Sequence, residues 1–144
     1  MENDRRSAFS RQVGGDYYKG MGYEPYHYFY EAQIPHHIAA IIRRIIRYKR
    51  RKEVAVDLRK ILHEIELLAQ LEGEGKGPIL YEVDTQALYK FLDANEFTPL
   101  QAAVIYSIST FTPESSYDHL DQLSKLVKLI ARHEGISLDE DATT

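Results

Sequence analysis

Residues 36–52 read HHIAAIIRRIIRYKRRK. Ile38, Ile41, Ile42, Ile45 and Ile46 recur at i, i+3, i+4, i+7 and i+8, the spacing that places side chains on one face of an α-helix. Pro35 suits a first helical turn, where its missing N–H costs nothing. The stretch predicts an amphipathic helix over about 35–50. Isoleucine is an indifferent helix former, so burial of the apolar face must hold this helix in place.

Immediately downstream, Leu58, Ile61, Leu62, Ile65 and Leu68 repeat the pattern, which predicts a second helix over about 55–72 with Gly73 as its stop. A turn as short as 51–54 makes the two helices an antiparallel hairpin. Upstream lies VGGDYYKGMGYEPYHYFYEAQIP (13–35), with four glycines and six of the eleven tyrosines. It reads as a glycine-punctuated loop containing a short helix from Pro25 to Glu31.

Past the hairpin, GEGKGP (73–78) has some letters of a phosphate loop. It lacks G-x-x-x-x-G-K-[ST] and any strand leading into it, and reads as a linker. ILYEV (79–83) is expected to be briefly extended. Three more helix starts follow. Asp84-Thr85 precede QALYKFLDAN, and Thr98-Pro99 with Gln101 form a capping box with a proline in the first turn. Thr112-Pro113 open a helix of about 113–134, whose stripe is Leu120, Leu123, Leu126, Val127 and Ile130 and whose stop is Gly135.

The expected fold is all-α: a helical hairpin core with about three further C-terminal helices and a Tyr/Gly-rich N-terminal loop. Its expected divisions are a mobile arm (1–12), the hairpin unit (13–73), a linker (74–83), a C-terminal helical subdomain (84–136) and an acidic tail (137–144).

The chain has 144 residues, 44% of them hydrophobic and 28% charged, as in ordinary soluble domains. It contains no cysteine, which excludes disulfides and thiolate metal sites. No apolar run nears the ~20 residues of a membrane span, and MENDRRSAFSRQ lacks the apolar core of a secretion signal. The expectation is a soluble, cytoplasmic protein with no membrane partner. With 18 basic and 22 acidic residues, net −4, the overall charge argues against nucleic acid as the main partner.

Charge distribution is more telling, since seven of the ten residues 43–52 are Lys or Arg. Like charges three and four apart on a helix repel by a few tenths of a kcal/mol per pair. Few carboxylates stand nearby in sequence, whereas phosphate would relieve the repulsion and suits the arginine fork. An anion site is therefore the favoured reading, against acidic partners elsewhere in the fold. The tyrosine-rich segment supplies candidate stacking faces for a base.

Other chemistry finds little footing. His36 and His37 are adjacent and diverge by about 100° on a helix, a poor chelating geometry. His63-Glu64 lacks the second histidine of a zinc-protease pattern, and Glu66, three residues on, reads as an exposed partner of His63. There is no nucleophile elbow. The carboxylate pairs Glu64/Glu66 and Asp118/Asp121 read as surface pairs, and no metal site is expected from the histidines. Two apolar columns in IIRRII, with exposed tyrosines, suggest a homo-oligomer.

Four stretches taken in order, VGGDYYK (13–19), EPYHYFYEA (24–32), IRRIIRYKRR (42–51) and DLRKILHEIELL (57–68), resemble the SaV-like phage family, whose best-known members are nucleotide kinases without a P-loop. The resemblance spans residues 13 to about 70, roughly half the chain. It implies phosphoryl transfer from ATP to a nucleoside monophosphate in an infected bacterial cell. Such a reaction requires positioning and charge neutralisation more than a covalent residue.

On that implication Arg43, Arg47 and Lys49, within a cluster that includes Arg44 and Arg50, hold phosphates. Tyr17, Tyr18 or Tyr26 stacks the base. Asp16, Arg47 and Asp57 form the catalytic set, the two carboxylates orienting groups or holding a cation such as Mg2+. The sequence departs from the family pattern at Tyr17, where histidine is usual, at Ala39-Ala40, where Gly-Asn is usual, and at Glu64, where tyrosine is usual. These departures bring forward a second hypothesis, a nucleotide binder without catalysis that sequesters a signalling nucleotide. A nucleic-acid interaction module is the third.

Overall fold

The computed structural model describes residues 23–50, 53–74, 83–111 and 117–138. These form six helices: α1 (Pro25–Glu31), α2 (His36–Arg47), α3 (Val54–Gly73), α4 (Thr85–Ala94), α5 (Pro99–Ser109) and α6 (Tyr117–His133), with a 3₁₀ turn, Tyr48–Arg50, extending α2. The all-α expectation holds. The arm, the linker, ILYEV, the Thr112-Pro113 start and the acidic tail lie wholly or mainly outside the described residues.

Local chemistry explains where the helices begin and end. Pro25 occupies the first turn of α1. Pro35 stands at the N-cap of α2, its carbonyl accepting the Ala39 amide at 2.9 Å. The Asp84 side chain caps α4 by accepting from the Ala87 amide at 3.1 Å. Thr98 and Gln101 close the capping box of α5 at 3.1 and 3.0 Å. After α6, Gly135 turns left-handed at φ 72°, with the Gly135 amide on Arg132 O and the Ile136 amide on Ala131 O. That pair of bonds is a Schellman ending, in which glycine avoids the Cβ clash of the left-handed region.

Helices α2, α3, α6 and α5 form a closed ring, each packed on the next, while α1 lies against α4 at the side. Their directions follow from side-chain contacts. Gln101, in the first turn of α5, donates from Nε2 to the carbonyl of Ile45 near the end of α2, at 2.9 Å. Helix α5 therefore starts where α2 finishes and runs against it. Tyr48, just past α2, and Glu134, just past α6, line one cavity, so these two helices end together. His119 donates from Nε2 to the Ser107 carbonyl at 2.7 Å, tying the start of α6 to the end of α5.

All five isoleucines of α2 are buried, at 0–9% exposure, beneath α3 and α5. The isoleucine columns that suggested self-association are thus covered within the chain, whereas Tyr26, Tyr30, Tyr89 and Tyr106 stay exposed. One core includes residues of both proposed subdomains, among them Ile42, Ile61, Phe91, Ile105, Leu123 and Val127. Tyr28 joins the side pair to the ring. Fully buried, it stacks on Phe91 at 4.6 Å and donates its hydroxyl to the buried Ser109 Oγ at 2.7 Å. No helix among the described residues is long and apolar enough to cross a membrane.

Gln101 offers a direct test of how the ring is held. Thr98→Ala removes one capping acceptor and is expected to cost ~1 kcal/mol. Gln101→Ala also strips the Ile45 carbonyl of a buried donor and is expected to cost more, ~1–3 kcal/mol. Urea unfolding midpoints decide: equal losses would show that the reach to α2 contributes nothing.

Candidate functional site

No carboxylate occurs between residues 32 and 52, so α2 and its 3₁₀ extension carry Arg43, Arg44, Arg47, Lys49 and Arg50 without a local counter-charge. Anchoring the isoleucine face in the core leaves these positions on the remaining faces, and the fold disperses them. Arg44 Nε meets Glu64 Oε1 of α3 at 3.0 Å, with both side chains about a quarter exposed (26% and 27%). The internal acidic partner weighed from sequence is the one Arg44 takes. Arg43 lies over the Phe29 ring, its Cζ 5.9 Å from the centroid. Tyr26, 52% exposed, meets the same Phe29 edge-on at 6.1 Å, so Arg43 and Tyr26 share one aromatic neighbour.

Arg47 is half-buried with its Nε enclosed, and its neighbours engage it. Asp57, in the first turn of α3, is 2% exposed and also engaged. Asp16, Tyr17, Tyr18 and the Arg50 side chain lie outside what the structure describes. Among the described residues, the predicted residues thus fall into an Arg43–Phe29–Tyr26 aromatic group, an Arg44–Glu64 ion pair and the enclosed Arg47 and Asp57. His63 and Glu66 stand 3.9 Å apart on the open face of α3, 69% and 82% exposed, as a surface pair. No group of three or more His, Asp or Glu that could hold a metal ion is gathered among the described residues.

A cavity does exist where α2 and α6 end and α5 begins. Its volume is about 370 Å³, within the range of small-molecule sites, and its walls are Tyr48 and Lys49, Thr98–Leu100, Ile130, His133 and Glu134. Lys49, Pro99, His133 and Glu134 are exposed, so the cavity communicates with solvent, while Ile130 and Tyr48 are buried and form its floor.

Three groups give this cavity its chemistry. Lys49 brings a flexible cation from within the basic run. His133, in the last turn of α6, brings an imidazole. Glu134 brings a carboxylate at the helix end fixed by Gly135, near the Tyr48 phenol. Burial first, then the neighbouring Glu134 carboxylate, push the Tyr48 phenol up from 10.0 to about 12. It stays a neutral donor at physiological pH.

Of the residues put forward from sequence that the structure describes, only Lys49 lines this cavity. Tyr48 sat inside the quoted stretch but was assigned no role. His133 and Glu134 lie about 85 positions further on and read only as the end of a helix. No local pattern links them to Lys49, because their proximity depends on ring closure.

Fold and site together define an all-α bundle protein with a cationic helix leading to a small polar-rimmed cavity. No protein-family model matches the chain, and comparison with curated proteins and with solved structures returns no match either.

The Tyr48–Glu134 pair predicts a specific pH dependence. The folded phenol holds its proton more tightly than the unfolded one, so its stabilising contribution is complete below pH 10 and is lost as pH rises through about 12. Denaturation midpoints of the wild type are expected to fall more steeply across that window than those of Tyr48→Phe. Parallel curves would show that the pair does not exist in solution.

Proposed function

We propose that this protein binds a phosphorylated small molecule, a nucleotide, in the cavity at the shared end of α2, α5 and α6, and that it acts by binding rather than by phosphoryl transfer. The observation that carries this reading is the position of the cavity: it opens where α2 ends, within the carboxylate-free basic run, with Lys49 in its wall. Phosphate oxygens meet Lys49 and His133, while the apolar sides of Pro99, Leu100 and Ile130 receive the rest of the ligand. Arg43 and Arg47 add to the local positive field that draws an anion towards this end.

Binding is favoured over transfer by the state of Asp57. As a magnesium or orienting carboxylate it would need to reach phosphate oxygens, yet it is 2% exposed and taken up by its neighbours. The resemblance to the phage kinases supports the ligand class, and the departures at Tyr17, Ala39-Ala40 and Glu64 point the same way as Asp57.

Titration calorimetry with nucleoside mono- and triphosphates tests this. Lys49→Ala is expected to weaken binding about tenfold or more, the worth of one charge-assisted contact. Arg44→Ala, whose charge is met by Glu64, is expected to change it less than threefold. Equal effects of the two would move the site away from the cavity. Incubation with ATP and each nucleoside monophosphate is expected to yield no diphosphate, and multiple-turnover diphosphate formation would restore the kinase reading.

A further inference from the structure

Along the basic run, Arg44 meets Glu64, Arg47 is half-buried and engaged by its neighbours, and Lys49 lines the cavity. Arg43 is placed differently. It lies over the Phe29 ring at 5.9 Å and meets no carboxylate among the described residues. A guanidinium stacked on a ring uses its face, so the N–H donors in its plane stay available. Beside it α1 exposes two tyrosines, Tyr26 at 52% and Tyr30 at 85%. Four residues apart, they stand on one side of the helix, and Tyr26 meets Phe29 edge-on at 6.1 Å.

We propose that this face of α1 and α2 binds single-stranded nucleic acid, with successive bases stacking on Tyr26 and Tyr30 and a phosphate meeting Arg43. The site goes beyond the nucleotide cavity, which lies past the end of α2 and shares none of these residues. Aromatic faces stack any base, and a cation beside them answers the phosphate that each nucleotide carries. Spacing decides between strand types. Four residues along an α-helix advance ~6 Å, whereas the bases of a duplex strand follow one another at ~3.4 Å. An unstacked strand can spread adjacent bases far enough to reach both rings, and a duplex cannot.

Charge points to the same kind of strand. A duplex binder gathers many phosphates, to which a chain of net −4 is ill suited. Here stacking carries the affinity, and Arg43 adds about one phosphate contact, for which the single-strand slope of log K against log salt is about −0.7. No carboxylate lies between residues 32 and 52 to oppose that phosphate. Glu31, the neighbour of Tyr30, sits ~100° further round α1. A mononucleotide reaches one ring alone, so AMP gains little here compared with the cavity.

Fluorescence anisotropy with an end-labelled oligothymidylate about ten nucleotides long, without a terminal phosphate, tests the site. The single strand is expected to bind, and the same strand paired with oligoadenylate to bind about tenfold or more weakly. The salt slope is expected between about −0.5 and −1.5. Tyr30→Ala, at a position exposed enough to leave the fold intact, is expected to weaken binding about fivefold or more, whereas Tyr30→Phe keeps the ring and the affinity. Arg43→Ala is expected to weaken binding and flatten the salt slope. Absence of binding, or equal affinity of the duplex, would overturn the proposal. So would equal affinity of an oligoglutamate of similar charge, which would point to an acidic peptide instead. Loss of binding in Lys49→Ala, with Tyr26→Ala and Tyr30→Ala unaffected, would place the strand at the cavity and overturn it as well.

Discussion

The carboxamide of Gln101 is the constraint on which fold and site both depend. Buried to 5% exposure, it serves two main-chain groups at once. Its Oε1 accepts the Thr98 amide and, beside the bond from the Gln101 main-chain amide to Thr98 Oγ1, its Nε2 donates to Ile45 O. The last of these acceptors is one of the final carbonyls of α2, which a helix cannot satisfy from within. A single side chain thus caps the start of one helix and completes the end of another. Because that bond joins α5 to α2, it also sets Thr98–Leu100 opposite Tyr48 and Lys49, the two walls of the cavity.

Burial drives the same closure, and the hydrogen bonds make it specific. The isoleucine face of α2 has nowhere to go in an isolated hairpin, because α3 covers only part of it. Helix α5 covers the rest, and α6 closes the ring by packing on both α3 and α5. Tyr48 and Glu134 then face one cavity, which puts the ends of α2 and α6 at the same end of the bundle. At the opposite end, His119 holds the Ser107 carbonyl and Tyr28 holds Ser109.

Much of this architecture was legible in the chain itself. The capping box of Thr98 and Gln101, the proline start of α1, the glycine ending of α6 and both apolar stripes depend on short-range chemistry, and all stand where the residues placed them, while Pro35 caps α2 one position earlier than its first turn. The division into two helical units did not anticipate one shared core, because the stripes of α2 and α5 say only that each needs a partner. The charge cluster was visible as well, but its meaning was not. Whether an arginine meets a carboxylate, a ring or an anion depends on what the fold brings to it from elsewhere. Glu64 takes Arg44 and Phe29 takes Arg43, leaving Lys49 as the cation at a cavity whose other polar walls come from the far end of the chain.

The central claim is therefore one of place: the ligand sits at the junction that Gln101 and Glu134 build, and not along the arginine face of α2. Amide chemical-shift mapping of the isotope-labelled protein during titration with AMP tests it directly. The account predicts that the largest shifts fall on Tyr48, Lys49, Leu100 and Ile130 through Glu134, with smaller changes around Phe29. Shifts centred on Tyr26, Phe29 and Arg43, with the cavity residues unmoved, would contradict it.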